Sequence, residues 1–410
     1  MERRLSAASR RSAPSPIQQL SHLAQRVGAV NLAEGFPDFP APLHVKAAAA
    51  AAIAADLNQY RHVQGICDIL AETVKRDHGL DVDPLTDFVI CCGQSEAFAA
   101  AIFASIIDQG DEVLLFDPAY ETYETCIELA RGVPVYVQLD PPSWTLNEDK
   151  FLKSFTSRTK AVVLNSYFPH NPTGKVFSKE ELLIIAQACQ KMDCFAITDE
   201  VYEYITYDEN KHISLASLPG MQERTIITSS LSKTYSVTGW RIGWACAAAS
   251  IASAIRNIHV KLTDSAPAPF QEAALIALTS TPDYYKSLKK DYEGRRDFIL
   301  QLLRDFGFHI TFKPQGSVFV FAELPRSWQL SDIDFVTTLI KDAGVAAVPG
   351  RGFFHRCCDG ESYHHRYVRF AFCKGDDTLK AAALNMRKLA GRGGMGITGR
   401  REDQTEFTSP

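Results

Sequence analysis

From residue 87 onward the chain alternates short, mainly apolar runs with longer segments of helical character. The apolar runs lie at 88–92, 112–116, 133–137, 161–165, 195–198 and 225–228. Because they are apolar on both faces, they are typical of strands in a mostly parallel sheet covered by helices on both sides. Residues 96–107 and 121–130 predict two of these helices. Ligands of such sheets bind beyond the carboxyl ends of the strands, where Gly93, Tyr120, Asn171, Asp199 and Ser230 all fall.

The remaining pattern predicts a second, smaller unit. Residues 47–55 are alanine except for Ile53, which favours a helix. A charged helix over 283–304, strands around Ile310 and over 318–321, and a helix from Asp332 indicate an α+β unit. We expect a flexible extension (1–14), an arm with part of the small domain (15–45), a large domain (46–281), a small domain (282–390) and a disordered tail (391–410).

Composition narrows the classes of protein to consider. The 410 residues are 46% hydrophobic and 22% charged, as in an ordinary globular enzyme. A net charge of −5 gives no electrostatic footprint for nucleic acid or for an anionic membrane. The ten cysteines show no C-x-x-C spacing and read as reduced thiols, so we expect a cytoplasmic protein. Four arginines and one acid in residues 1–14 leave an organellar targeting segment, mitochondrial or plastid, as the alternative.

One lysine stands among small hydroxyl residues, in the segment 230–235, and an arginine follows eight residues later. Crowding by apolar neighbours gives Lys233 a reason for a lowered pKa, so that its free amine could form a Schiff base with an aldehyde. Arg241 and the hydroxyls of Ser230 and Ser232 could hold a phosphate nearby. An aldehyde and a phosphate on one molecule suggest pyridoxal 5′-phosphate (PLP). Taken alone, the segment favours an exposed lysine beside a turn over a cofactor site.

Further motifs follow one another in a family's order, at 31–39, 59–65, 93–97, 117–120, 169–174, 198–202 and 368–370. With the lysine segment, they make the span from about Asn31 to Leu389 resemble the PLP-dependent aminotransferases of fold type I, class I/II. Within that class the chain is most similar to the kynurenine, glutamine–phenylpyruvate and methionine aminotransferases. The resemblance implies an α/β large domain with a mostly parallel seven-stranded sheet, a smaller α+β domain, and PLP as cofactor.

The resemblance also implies roles for individual residues. Lys233 would carry the cofactor and then move the proton, while Asp199 would keep the pyridine nitrogen protonated. Asn171 and Tyr202 would contact the phenolate oxygen, and Tyr120 would stack on the ring. On the residues alone, Asp199 could instead be a strand cap, Asn171 a turn residue and Tyr120 a core aromatic.

Two further sets of residues would hold the phosphate and the amino acid. The phosphate set consists of Ser95, Glu96 and Ala97 at a helix N-terminus, Ser230, Ser232 and Arg241, with Tyr60 reaching across from a second subunit. A shared site of this kind implies a homodimer. Arg369 would bind the substrate carboxylate, beside Asn171 and Gly35, although an arginine in an apolar strand could equally form a structural ion pair. No metal site, nucleic-acid partner or membrane partner is expected.

Three positions depart from the family pattern. Tyr167 and Phe168 stand between Ser166 and Pro169, where the family runs directly into the proline loop, and either bulge outward or displace Asn171. Asp264 stands where the similar aminotransferases tend to carry a phenylalanine that lines the partner's substrate pocket, and it could equally face solvent. Glu34 stands where several relatives carry glutamine, and it could equally be a solvated or salt-bridged acid. The predicted function is ping-pong transamination of a bulky L-amino acid, such as kynurenine, phenylalanine, methionine or glutamine, with a 2-oxo acid. A cysteine-conjugate β-lyase and a cofactor-binding protein with little turnover are the alternatives.

Overall fold

The computed structural model describes residues 16–103, 107–164, 170–325, 327–355 and 362–391. Twelve α-helices lie within these ranges. They are α1 Pro16–Arg26, α2 Leu43–Ala54, α3 Gln64–His78, α4 Gln94–Ala101, α5 Glu121–Leu129, α6 Glu148–Lys153, α7 Lys179–Lys191, α8 Ala249–Thr263, α9 Ala268–Leu278, α10 Pro282–Phe306, α11 Asp332–Thr338 and α12 Asp376–Gly391. No helix in these ranges is long and apolar enough to span a bilayer.

Seven of the twelve described strands form the main sheet. The strands are β1 Val30–Asn31, β2 Phe88–Cys91, β3 Glu112–Asp117, β4 Val133–Gln138, β5 Thr159–Leu164, β6 Phe195–Asp199, β7 Thr225–Ser230, β8 Gly243–Cys246, β9 Phe319–Glu323, β10 Val345–Ala346, β11 Val348–Pro349 and β12 Tyr367–Ala371. The main sheet runs in the order β2-β8-β7-β6-β5-β3-β4. Its strands pair in parallel except for β8, which is antiparallel to both β2 and β7. The prediction of a mostly parallel seven-stranded sheet is therefore confirmed.

Burial on both faces explains the unbroken apolar runs. Every residue of β2, β3, β7 and β8 is buried, and successive side chains of one strand enter different cores. Leu114 and Phe116 of β3 pack in one hydrophobic cluster, whereas Val113 and Leu115 pack in another. Alternation within a strand therefore separates two apolar environments and not core from water.

A smaller group of strands comes from both ends of the chain. β11, β12 and β9 form an antiparallel three-stranded sheet, and β1 pairs in parallel with β10. The N-terminal arm is thus joined to the later part of the chain. The strand expected around Ile310 is reduced to a single bridge between His309 and Glu323, because the segment before β9 makes no continuous ladder.

The carboxyl ends of β6 and β7 position the candidate chemistry. Asp199 is the last residue of β6, and Ser230 is the last residue of β7, next to it in the sheet. Gly93 separates β2 from α4 and faces the same edge across β8. Arg369, in the middle of β12, approaches this edge from the smaller sheet.

Candidate active site

A cavity of about 390 Å³ opens at this edge of the sheet. It has the size of a small-ligand site. Of the predicted site residues, eleven line it: Gly35, Ser95, Tyr120, Asn171, Asp199, Tyr202, Ser230, Ser232, Lys233, Arg241 and Arg369. The sequence analysis did not assign roles to Phe36, Gln94, Glu121, Val201, Thr238 and Phe319, which complete the lining with Glu34.

Lys233 lies directly after β7 and reaches across the cavity to the N-terminal arm. Its Nζ donates a 2.6 Å hydrogen bond to the carbonyl oxygen of Gly35. Burial lowers the pKa of Lys233 below its usual value, although the thiol of Cys373 and the carboxylate of Asp199 oppose the shift. The amine is therefore closer to its reactive neutral form than a surface lysine is.

Asp199 is buried at the base of the cavity. Its Oδ2 accepts a 2.6 Å hydrogen bond from the hydroxyl of Tyr123, and its Oδ1 accepts from the backbone N–H of Val201 at 3.3 Å. Burial raises the pKa of Asp199 to about 6, and the hydrogen bond from Tyr123 limits the rise. A buried carboxylate of this kind favours a ligand that carries a positive charge.

Tyr123 is a functional residue that the sequence analysis missed. It lies in the first turn of α5, three residues after Tyr120, which is the N-cap of that helix. The two rings meet edge to face, with centroids 5.7 Å apart. The spacing of the two tyrosines after β3 was the available signal, but nothing in it pointed to Asp199.

A candidate anion site lies where β2 passes into α4. Gly93 has φ +83° and ψ 169°, a conformation essentially restricted to glycine. The guanidinium of Arg241 packs on Gly93 and donates to the carbonyl oxygens of Cys92 at 3.1 Å and Thr238 at 2.9 Å. The first bond of α4 runs from the N–H of Ala97 to the Gly93 carbonyl, so the amides before it have no acceptor within the helix.

Three predicted cofactor residues lie outside the cavity lining. The carboxylate of Glu96 turns toward α8, where it accepts from Thr263 at 2.6 Å and pairs with His259 at 3.0 Å. Only the backbone of Glu96 and Ala97 is near the anion site. Tyr60 is 77% exposed and lines a separate cavity together with Asp264. The Tyr167–Phe168 insertion and Pro169 lie outside the described residues, so its effect on Asn171 remains a prediction.

Arg369 presents a cation to the opposite wall of the cavity. Its Nη1 donates to Asn171 Oδ1 at 2.8 Å and its Nη2 to the Ala33 carbonyl at 2.9 Å. Among the described residues its buried Nε has no hydrogen-bond partner. The guanidinium lies 4.1 Å from the centroid of the Phe319 ring. Burial lowers the pKa of Arg369 to about 10, so the group remains a cation at neutral pH.

Asn171, Tyr202 and Glu34 of the N-terminal arm complete the site. Asn171 precedes a cis proline and is buried with Tyr202. Burial raises the pKa of Tyr202 well above its usual value, and the nearby Asp199 adds to the rise, so its hydroxyl remains a donor. The carboxylate of Glu34 accepts a 2.7 Å hydrogen bond from Asn31 and is not ion-paired among the described residues.

These residues fit PLP. The glycine-lined anion site suits its phosphate, the buried acid its pyridine nitrogen, Lys233 its aldehyde, and the Tyr120 ring its aromatic face. The orphaned Nε of Arg369 leaves a donor for a second, carboxylate-bearing molecule.

Comparisons with known proteins agree with this chemistry. Residues 27–383 match the aminotransferase class I and II family. A probable N-succinyldiaminopimelate aminotransferase of Mycobacterium tuberculosis is 37% identical over 91% of this chain and 96% of its own. A kynurenine–oxoglutarate transaminase of Dictyostelium discoideum is 35% identical over 92% of this chain and 94% of its own. A solved methionine aminotransferase from Escherichia coli has a TM-score of 0.86 at 33% identity, over 94% of this chain and 99% of that one. The chain therefore belongs to the class I and II aminotransferases, which are enzymes dependent on pyridoxal 5′-phosphate.

Proposed function

We propose that this chain transfers the amino group of a bulky, uncharged L-amino acid, aromatic or sulfur-containing, to a 2-oxo acid. Several relatives are named as kynurenine or methionine aminotransferases, and these names support this substrate class. The observation that carries the proposal is one cavity lined by Lys233, Asp199, Arg241 and Arg369. These side chains come from distant parts of the sequence and match the reacting parts of the cofactor and of an amino acid.

When bound, PLP supplies an electron-withdrawing ring that stabilises the negative charge left on Cα after its proton departs. Arg241, Ser230, Ser232 and the first amides of α4 would hold the phosphate. Asp199 would keep a proton on the ring nitrogen, and Tyr123 would hold that carboxylate in place. Tyr202 and Asn171 would donate to the phenolate oxygen.

Lys233 is the candidate acid and base. Its lowered pKa would let the amine take a proton from Cα and deliver it to the cofactor carbon that carried the aldehyde. The same amine is held by the Gly35 carbonyl, so the arm and the lysine are coupled. In the first half-reaction an amino acid would leave its amino group on the cofactor and depart as an oxo acid. In the second, a different oxo acid would take up that amino group.

Arg369 is the candidate binding group for the substrate carboxylate. The planar guanidinium could bind both carboxylate oxygens, with its unpartnered Nε as one donor. The contact to Asn171 would fix the plane of the fork. Ala33 and Phe319 hold it from the other sides, so little rotamer entropy remains to be lost on binding.

The charges in the cavity favour an uncharged substrate side chain. Glu34 and Glu121 line the cavity in addition to the acid that faces the cofactor. With Arg241 on the phosphate and Arg369 on the substrate carboxylate, the described residues of the cavity lining offer no cation beyond Lys233 for a second carboxylate. We therefore expect glutamate to react more slowly than glutamine, methionine or an aromatic substrate.

We further propose a homodimer in which Tyr60 completes the partner's phosphate site. Tyr60, Leu85 and Val260 are exposed by 77%, 68% and 48% and line one cavity of about 520 Å³ together with Asp264. Exposed apolar side chains grouped in this way favour a protein interface. A cytoplasmic location remains part of the proposal.

The first test is a half-reaction. The purified protein with PLP is mixed with single amino acids and no oxo acid, and the visible absorbance of the lysine-bound cofactor is followed. We expect it to bleach with phenylalanine, methionine or kynurenine and to persist with glutamate over the same time. An unchanged spectrum with every amino acid would contradict the proposal.

The dimer has its own test, based on two inactive variants. Lys233→Ala and Tyr60→Ala proteins are mixed, unfolded together and refolded. Random pairing makes about half of the dimers hybrids, and each hybrid has one intact site of its two. We therefore expect about one quarter of wild-type activity to return. No recovery from the mixture would argue against a site shared between subunits.

A further inference from the structure

A second group of polar side chains lies outside the cavity, behind the turn that follows β6. It consists of His78, Glu200, Glu203 and His212, which we call the histidine–glutamate cluster. Each residue brings one nitrogen or carboxylate oxygen to within 4.8 Å of all the others. His78 is the last residue of α3, whereas Glu200 and Glu203 belong to one turn, so three separate segments converge.

The side chains of this cluster are close enough together to contact one ion. His212 Nε2 is 3.4 Å from Glu200 Oε2, and the rings of His78 and His212 meet edge to face with centroids 4.7 Å apart. The other oxygen of Glu200 accepts from Thr198 at 2.8 Å and Ser214 at 3.1 Å. These hydrogen bonds orient the carboxylate and direct its second oxygen at the histidines, as outer-sphere contacts do at metal centres.

Within the described residues, the only ion pair made by the two carboxylates of the cluster is the one between Glu200 and His212. Glu200 is only 2% exposed, and among the described residues no lysine or arginine forms an ion pair with Glu200 or Glu203. The guanidinium of Arg76, the cation nearest in sequence to His78, donates to both oxygens of Asp77 at 2.7 and 2.8 Å. A divalent ion would compensate two carboxylates that are costly to bury alone.

We propose that the histidine–glutamate cluster is a structural binding site for a divalent transition-metal ion, zinc above all. Two imidazoles and two carboxylates are a ligand set that zinc accepts, and four protein ligands make a closed site without an open position for substrate. Ligand atoms of a tetrahedral zinc site are roughly 3.3 Å apart, so closure around the ion requires side-chain movements on the order of 1 Å.

The site would brace the segment that carries two cofactor residues. Glu200 follows Asp199 directly, and Tyr202 lies between the two glutamates. The backbone of Glu200 is already tied to β7, since its N–H donates to the Thr228 carbonyl at 2.7 Å. A metal joining Glu200 and Glu203 to α3 would fix this turn from the side opposite the cavity.

The test measures metal directly on the full-length protein loaded with PLP. After treatment with a chelator and gel filtration, the protein is incubated with zinc chloride and freed of excess metal. Its zinc content per chain is then measured by elemental mass spectrometry. We expect about one zinc ion per chain in the wild type and in His44→Gln, whose histidine is exposed on α2. We expect at least a fivefold lower content in His78→Gln and Glu203→Gln.

A second measurement keeps the test independent of variants that fail to fold. Titration of the chelator-treated wild type with cobalt chloride should give the strong visible absorbance of tetrahedral Co²⁺, saturating near one equivalent. Zinc should also raise the melting temperature of the wild type more than that of Glu203→Gln. The proposal is overturned by wild-type protein that binds no stoichiometric metal, or by zinc that binds equally to all variants. None of these readouts depends on transamination.

Discussion

Replacing Gly93 with alanine tests the anion site most directly. An added Cβ would lie less than 3.0 Å from the central carbon and both terminal nitrogens of the Arg241 guanidinium. The backbone there also has φ +83°, where a residue with Cβ is strained by about 1–3 kcal/mol. We expect the guanidinium to be displaced from the position in which it would face the phosphate.

The size of the effect follows from the contacts that are lost. Each hydrogen bond to a charged group contributes roughly 1.5–3 kcal/mol. Two weakened bonds from Arg241 therefore cost about 3 kcal/mol, a roughly 100-fold rise in the Kd of PLP. Pyridoxal, which lacks the phosphate, should bind Gly93→Ala and the wild type alike.

Fluorescence titration of cofactor-free protein with PLP and with pyridoxal measures both constants. Gly239→Ala is the matched control, because Gly239 lies two residues from Arg241 and an added Cβ would meet nothing within 4 Å. Urea unfolding of each protein separates a loss of fold from a loss of affinity. Unchanged PLP affinity in Gly93→Ala, or an equal loss for pyridoxal, would refute the assignment of the phosphate site.

Three further substitutions have defined outcomes. Arg369→Lys keeps the charge but loses the planar fork, so kcat/KM for phenylalanine should fall about 100-fold, with little change in PLP affinity. Tyr123→Phe removes a donor to Asp199 and should raise the pKa of that carboxyl further, lowering kcat about tenfold; an unchanged kcat would contradict this role. Burial alone would lower the pKa of His355, but its hydrogen bonds to Asp117 and Glu124 raise it to about 9. This stabilisation, up to about 3 kcal/mol, is complete below the unfolded pKa of about 6.5 and lost as pH rises through 9. Urea unfolding should therefore show His355→Gln destabilised strongly at pH ~6 and little at pH ~10; an equal difference at both values would argue against the charged pair.

The sequence predicted the parallel core because each of its strands contains a short run of apolar residues. It missed β8 for an equally physical reason. Gly243–Cys246 is short, begins with glycine and follows an arginine turn, so its composition does not favour a strand. Gly243 is nevertheless required there, since an added Cβ would collide with the backbone of Gly93 and Gln94. Such a close approach between distant segments leaves no local signal.

Candidate site residues divide in the same way. Lys233 and Arg241 stand in one short segment and could be proposed from their own surroundings. Arg369 could be assigned only through the family resemblance, because its partner Asn171 is 198 residues away. Tyr123 has no motif of its own, and its contact with Asp199 spans 76 residues. The role proposed for Tyr60 concerns a second copy of the chain, which no single-chain pattern can describe.

The cavity lining extends along the chain from Glu34 to Arg369. During translation the site therefore cannot form until nearly the whole polypeptide has left the ribosome. A nascent chain that ends before β12 would have its main sheet but neither Arg369 nor the strand that joins β9 to β11. Premature termination in this last part would produce a chain that retains Lys233 but lacks Arg369, the group proposed to bind the substrate carboxylate.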